Sequence, residues 1–98
     1  MIDPELVKPM SQRYLEVTYR KGKPLAAYLY LPRQSGDVSA RVEPHGAGYL
    51  VDWSEDGRPI GIEMPSPSLV TAEGINRVLA ELHLDPVAPE EVAPVVAA

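Results

Sequence analysis

The sequence predicts an α+β fold in two layers: an antiparallel β-meander of about five short strands with one C-terminal helix packed on one face. Three observations predict it. Apolar and polar residues alternate with a period of two through five short runs between residues 14 and 64. Asp56-Gly57 separates two of these runs, which is a strong signal for a β-hairpin. After residue 70 the apolar spacing becomes that of one helical face, and a sheet covered by one helix makes a two-layer domain.

The chain divides into three parts. Residues 1–13 contain two prolines among polar residues and are expected to form a flexible N-terminal arm. Residues 14–85 carry the periodic segments and are expected to form a single domain, which suits a chain of 98 residues. Residues 86–98 hold three prolines and no apolar period, so they are predicted to be a disordered tail.

The first predicted hairpin joins Tyr14–Arg20 to Leu25–Leu31, with Pro24 opening the second strand. A three-residue loop at 21–23 keeps the apolar residues on one face, because side chains alternate between the faces of a strand. The expected pairs are Tyr19 with Leu25, Val17 with Ala27, and Leu15 with Leu29.

A third short strand is predicted at Val38–Glu43, ending at Pro44. A four-residue loop at 45–48 would place Val42 opposite Val51 and Ala40 opposite Trp53. This register continues the apolar face of the neighbouring hairpin.

The second hairpin, Tyr49–Met64, is the most specific prediction. With Asp56-Gly57 as a two-residue type I′ turn, the pairs on one face are Trp53 with Ile60, Val51 with Ile62, and Tyr49 with Met64. The other face then has Asp52 opposite Gly61 and Leu50 opposite Glu63. Because glycine has no side chain, a neighbouring chain or side chain can come close at Gly61.

The C-terminal helix is predicted over Thr71–His83, where the residues at one helical face are Ile75, Val78, Leu79 and Leu82. Thr71 suits the N-cap position, and Asp85-Pro86 ends the helix. Gly74 either weakens the helix or allows a close approach to the sheet.

The second face of the sheet is rich in tyrosine. The predicted register puts Tyr14 opposite Tyr30 and Glu16 opposite Tyr28, with Leu50 on the same side. Tyrosine is enriched at interfaces because it buries a large area and keeps a polar tip. The candidate interaction residues are therefore Tyr14, Tyr28, Tyr30 and Leu50, and the expected partner is a second copy, forming a homodimer, or an unidentified protein. The alternative is that these tyrosines decorate an exposed sheet or are covered by the arm or the tail.

The acidic residues of the second hairpin have the spacing of a calcium-binding loop, from Asp52 through Asp56-Gly57 to Glu63. Such a loop lies between helices, whereas both flanks here alternate as strands do, so no metal site is predicted. Asp52 and Glu63 are instead diagonal neighbours on a strand pair. Together with Gly61 they form a possible ligand face, and the alternative function is a small-ligand or metal-binding domain.

Other functional classes are disfavoured. The chain has no cysteine, which excludes disulfides and thiolate metal sites and fits a cytoplasmic location. Its net charge of −5 argues against nucleic-acid binding, and no apolar run has the length of a membrane span. His45 and His83 lie far apart in sequence and no nucleophile or phosphate-loop motif is present, so neither an enzyme nor a cofactor is expected.

The stretch from Leu15 to about Val70 resembles the small bacterial family called domain of unknown function 2283. Its first hairpin corresponds to Tyr19–Leu31, and its second to Val51–Met64, where the matching residues are Asp52, Gly57, Gly61, Ile62 and Glu63. Arg20 stands where the family usually has Asp, and the first loop is one residue longer. The resemblance implies the meander-plus-helix fold and no established activity. The predicted function is a non-enzymatic protein-interaction module, antitoxin-like or accessory, that self-associates.

Overall fold

The structure is a computed structural model that describes residues 13–96. It has five strands: β1 (Tyr14–Arg20), β2 (Lys23–Tyr30), β3 (Arg41–Pro44), β4 (Leu50–Trp53) and β5 (Pro59–Met64). A 3₁₀ turn at Pro67–Leu69 leads into the helices α1 (Ala72–Glu81) and α2 (Pro89–Val96). The predicted α+β class with an antiparallel sheet is confirmed, with two helices where one was predicted. The N-terminal arm predicted at 1–13 lies, except for Arg13, outside the described residues.

The sheet has the order β1-β2-β5-β4-β3, so the predicted meander is wrong. The last three strands do follow one another as a meander, but β5 then pairs with β2, as in Leu29 opposite Ile62. A central strand is buried on both faces, and β5 has four buried residues among its six. Its position beside β2 brings the residues of both hairpins onto a common surface.

The hydrophobic core joins one face of the sheet, called here the inner face, to both helices. Its fully buried side chains from the strands include Leu29, Val51, Ile62 and Met64, and those from the helices are Ile75, Val78, Leu79, Val92 and Val95. No helix between residues 13 and 96 is long and apolar enough to cross a membrane.

Helix α1 begins and packs as its sequence predicts. The Thr71 hydroxyl caps it by accepting a hydrogen bond of 2.9 Å from the Gly74 amide. A Cβ at Gly74 would lie 2.1 Å from the Tyr49 hydroxyl, so glycine is what allows the helix to approach the sheet here. That hydroxyl in turn accepts a hydrogen bond of 3.1 Å from the Thr71 amide. The helix ends before His83, whose φ of 61° is left-handed.

The segment from residue 86, predicted to be a disordered tail, contains helix α2. Its first residue is Pro89, a favoured first helical residue, and Glu90 and Glu91 lie in the positive first turn. Val92 and Val95 are fully buried. The valine spacing of three residues and the acidic start indicate a helix, but the prolines mask that pattern.

The two hairpin turns have exchanged the predicted types. Lys21 and Gly22 both have positive φ (53° and 78°), so the first hairpin has a two-residue loop and Leu25 forms a bulge. In the second hairpin only Gly57 has positive φ (85°), and the Ser54 amide donates to the Arg58 carbonyl across a three-residue loop.

These loop lengths change the residue pairs next to each turn from those predicted, and leave the pairs further from the turn as predicted. The rows Val17/Ala27 and Leu15/Leu29 are confirmed, whereas Tyr19 pairs with Pro24 and not with Leu25. In the second hairpin Leu50/Glu63, Val51/Ile62 and Asp52/Gly61 are confirmed, whereas Trp53 pairs with Pro59 and not with Ile60.

Strand β3 is shifted by one residue from its predicted register. Its connection to β4 closes with the His45 amide donating to the Tyr49 carbonyl, around a loop of three residues where four were predicted. Val42 consequently lies opposite Asp52 rather than Val51, and is 48% exposed. A one-residue slip moves every side chain to the opposite face. Arg41, and not the predicted Ala40, lies opposite Trp53. Its guanidinium lies 5.1 Å from the centre of the Trp53 ring.

Candidate functional site

The outer face of the sheet, opposite the helices, carries the candidate interaction residues and the possible ligand face that the sequence predicted. Two neighbouring rows of paired residues cross it. One row runs Glu16, Tyr28, Glu63, Leu50, and the next runs Tyr14, Tyr30, Gly61, Asp52, Val42. The pairing of β2 with β5, which the sequence did not predict, brings the tyrosines next to the two carboxyl groups.

Three tyrosines form a continuous aromatic cluster on this face. The rings of Tyr14 and Tyr30 are stacked with their centroids 4.5 Å apart and an interplanar angle of 13°. The Tyr28 ring also packs against Tyr30, with the same centroid distance and an interplanar angle of 54°. The Arg33 guanidinium lies 5.1 Å from the Tyr30 ring centre, within cation–π range. Burial and the nearby Glu16 carboxylate raise the pKa of the Tyr30 hydroxyl.

Gly61 lets the Tyr28 ring cross strand β5. A Cβ on Gly61 would lie only 1.8 Å from the Tyr28 hydroxyl oxygen, so any larger residue would displace the ring. From this position the hydroxyl donates a 2.7 Å hydrogen bond to Asp52 Oδ2 on β4. Burial, and then this hydrogen bond, raise the pKa of Tyr28 and keep it a donor. The expected close approach at Gly61 is made by a side chain of the same molecule.

Asp52 and Glu63 form a carboxyl pair beside this hydrogen bond. Asp52 is only 5% exposed, and its Oδ1 accepts no hydrogen bond from any described residue. The neighbouring Asp52 carboxyl group and, after it, the partial burial of Glu63 raise the pKa of Glu63 to about 7. Glu63 therefore keeps its proton to a higher pH than an ordinary glutamate does.

Arg33 completes the site and was missed by the sequence analysis. It lies just beyond β2 and donates hydrogen bonds to the Ile60 carbonyl and, at 3.4 Å, to the Tyr28 hydroxyl. The Ile60 carbonyl also accepts from the Leu31 amide. The bulge at Ile60 thus provides the backbone acceptor that fixes this cation. The only sequence signal was an arginine two residues after the end of the predicted strand that carries two of the site tyrosines.

A shallow depression of about 220 Å³ opens beside the carboxyl pair. Its walls are formed by Glu16, Ala26, Tyr28, Glu63 and Met64. The carboxyl groups of Glu16 and Glu63 and the Tyr28 ring suit a positively charged group, such as an amine or the end of a basic side chain.

The remaining acidic and histidine residues lie elsewhere. Asp56 pairs with Arg58, which also contacts Asp37 at 2.7 Å, and this arginine lowers the pKa of both carboxyl groups. The residues of the calcium-like spacing are therefore not brought together. His45 contacts Glu81 at 3.1 Å. Among residues 13–96 there is no group of three or more histidine or acidic side chains arranged to hold a metal ion.

No family model matches the chain, and no curated protein or solved structure shows significant similarity to it. The resemblance to domain of unknown function 2283 stays a prediction. The function is therefore inferred from the site itself.

Proposed function

We propose that this protein is a non-enzymatic protein-interaction module that self-associates and binds a partner protein through the outer face. The observation that carries the proposal is the half-exposed cluster of Tyr14, Tyr28 and Tyr30 capped by Arg33. Tyrosine and arginine are the residues most enriched in the energetically important parts of interfaces.

The cluster is arranged as a binding surface and not as a core. Tyr14 is 51% exposed, and the face continues through the half-buried Leu50 to the exposed Val42. The rings are held in place by stacking and by the hydrogen bond of Tyr28, so little side-chain entropy is lost when a partner binds. The carboxyl groups of Glu16 and Glu63 make this surface complementary to a partner with basic side chains.

The proposal includes the accessory or antitoxin-like role and a place in the cytoplasm. The lack of cysteine is compatible with that reducing compartment. Self-association gives a two-fold arrangement in which two copies of the outer face are presented together.

Affinity capture with three versions of the full chain tests the partner-binding surface. The native protein, a Tyr14→Ala/Tyr30→Ala variant and a Val38→Ala/Leu69→Ala control are compared. Val38 and Leu69 are also exposed (63% and 55%) but belong to neither row of the outer face, so the control removes exposed apolar side chains from outside those rows. We expect the same protein to be retained by the native chain and the control and lost by the tyrosine variant. Equal retention by all three would contradict the proposal.

The second candidate is a small-ligand site, favoured by the raised pKa of Glu63 and the depression next to it. The ligand would be a small organic cation held by Glu16, Glu63 and the Tyr28 ring. Titration with n-butylamine above pH 8, followed by amide NMR shifts, tests it. Saturable shifts confined to these residues and lost in Glu63→Gln would favour this function, whereas their absence would leave the interaction module as the better explanation.

A further inference from the structure

The two edges of the sheet differ in how they are protected from pairing with another chain. Edge strand β3 has four residues and ends in Pro44, which has no amide hydrogen to donate. Edge strand β1 has seven residues, Tyr14–Arg20, with no proline and with two charged residues, Glu16 and Arg20. Within residues 13–96, β1 pairs only with β2, so one side of its backbone has no strand partner. Such an edge is a template for another strand.

The sequence of β1 is complementary to itself. When two copies run antiparallel about a two-fold axis at Val17, Leu15 lies opposite Tyr19, and each such pair occurs twice. The same register places Glu16 opposite Thr18 and Tyr14 opposite Arg20. Apolar residues thus meet apolar residues, a carboxylate meets a hydroxyl, and an aromatic ring meets a guanidinium.

The two-fold axis must pass through a residue position for the faces to match. Side chains alternate along a strand, so residues of equal parity have to face each other if both inner faces are to lie on the same side. An axis at Val17 satisfies this condition and is the only such axis that pairs all seven residues of the strand.

The surface beside β1 also has room for a second chain. A groove of about 490 Å³ lies between β1 and helix α2, lined by Leu15, Val17, Tyr19 and Pro94. Tyr19 is 55% exposed at this groove and Leu25, in the adjacent bulge, is 50% exposed. The side chains that a second β1 brings to the inner face are the same apolar ones, so they would cover this surface.

We propose that two copies of this chain associate through their β1 strands, antiparallel and centred on Val17, into one continuous ten-stranded sheet. The inference rests on the self-association in the proposed function and names its surface and register. The pairing leaves the outer face open and places the two tyrosine clusters on the same side of the combined sheet, since Tyr14 lies in β1. A partner protein would then meet a single surface built from both copies.

Cysteine cross-linking tests the register directly, because the native chain has no cysteine. In the proposed dimer the two Val17 Cα atoms lie ~4.5 to 5.5 Å apart, within the range that a disulfide spans. The two Thr18 Cα atoms are roughly 8 Å apart, which is too far. We expect the full-length Val17→Cys variant to form a covalent dimer rapidly under mild oxidation, and Thr18→Cys, the matched control on the next residue, to do so much more slowly.

Light scattering of the native protein is the second measurement. We expect a dimer mass at high micromolar concentration. Tyr19→Lys should weaken dimerisation about tenfold, since it removes two apolar cross-strand pairs per dimer and adds a charge to the edge. Tyr19 is exposed, so an unchanged melting curve at low concentration would show that the monomer fold is retained.

The outcomes separate this inference from the proposed function. A dimer mass with Val17→Cys that does not cross-link, or that cross-links no faster than Thr18→Cys, would overturn the β1 register and leave self-association standing. A monomer mass for the native chain would overturn both. A dimer that Tyr19→Lys does not weaken would also rule out the β1 edge.

Discussion

The two faces of strand β5 are built on different principles. Ile62 points to the inner face, is fully buried, and packs in a cluster of aliphatic side chains that can be rearranged without losing a specific partner. Gly61, its neighbour in sequence, lies on the outer face, where the missing side chain makes room for one hydroxyl to reach one carboxylate. Packing on the inner face depends on the volume and the buried apolar area of its side chains, whereas the arrangement of the outer face depends on contacts between particular atoms.

Because of this difference, the two faces are expected to contribute unequally to stability. Burial of apolar surface is the main stabilising contribution to a fold of this size, and the inner face supplies it. The outer face instead holds a buried carboxylate and three partly exposed tyrosines, which contribute less to stability than aliphatic residues in the same positions would. Residues that persist at such a cost are expected at binding surfaces, and substitutions on the two faces should therefore differ in size and in kind.

The largest effect is expected on the inner face. Ile62→Ala removes buried methyl groups from the central strand and leaves a cavity, so we expect the free energy of unfolding to fall by about 2 to 5 kcal/mol. Urea denaturation followed by tryptophan fluorescence measures it, with Trp53 as the single probe. A loss below 1 kcal/mol would contradict the contrast between the faces.

Gly61→Ala also introduces an alanine, one position before Ile62, but it should destabilise the fold by crowding and not by leaving a cavity. The added Cβ displaces the Tyr28 ring and breaks its hydrogen bond to the buried Asp52, so we expect a loss of about 1 to 3 kcal/mol. The same substitution in a Tyr28→Ala background has no ring to displace and should cost less. Equal losses in the two backgrounds would show that the Tyr28 contact is not the cause.

Alternation in the sequence was sufficient to predict most of the inner face. The central rows of both hairpins and the buried face of α1 follow from apolar periodicity, because burial acts on every second residue of a strand. The ends of the registers failed at the bulges of Leu25 and Ile60, since loop length, and not periodicity, sets the register next to a turn. Lys21 shows why the loops were difficult: a lysine at positive φ gives no compositional signal.

The outer site was predicted as a set of residues but not as an arrangement. Each of its tyrosines and carboxyl groups was assigned to the correct face, yet the contact between Tyr28 and Asp52 depends on β2 lying next to β5. That order is a non-local property, which local patterns do not carry. Arg33 was missed for the same reason, because it is held by a hydrogen bond to a residue distant in sequence. Helix α2 was missed because its prolines mask the spacing of its buried valines.

The carboxyl pair predicts a pH dependence that belongs to the outer face alone. Folding raises the pKa of Glu63 to about 7 from an unfolded value of about 4.5, so the folded protein binds the proton more tightly. This contribution is fully present below about pH 4.5 and is lost as the pH rises through about 7. We expect a decrease of about 1 to 2 kcal/mol over that range, because solvent screens part of the repulsion at a partly exposed pair.

Glu63→Gln should remove this slope, since glutamine can donate to Asp52 at any pH and does not ionise over this range. Glu55→Gln, at the exposed tip of the second hairpin, is the matched control for loss of one charge. Urea denaturation at a series of pH values measures all three proteins. A slope that persists in Glu63→Gln would mean that another group titrates.

The smallest effect on stability is expected for Tyr14, which tests most directly whether the outer face contributes to stability as the inner face does. Tyr14 is half exposed at the rim of the tyrosine cluster, so Tyr14→Ala should change the free energy of unfolding of the monomer by no more than about 0.5 kcal/mol. The measurement is thermal unfolding at low micromolar concentration, where association is weak. A loss of 1 kcal/mol or more would show that the stacked pair with Tyr30 supports the fold, as inner-face residues do. A small loss, combined with loss of partner capture in the double variant, assigns the cluster to binding.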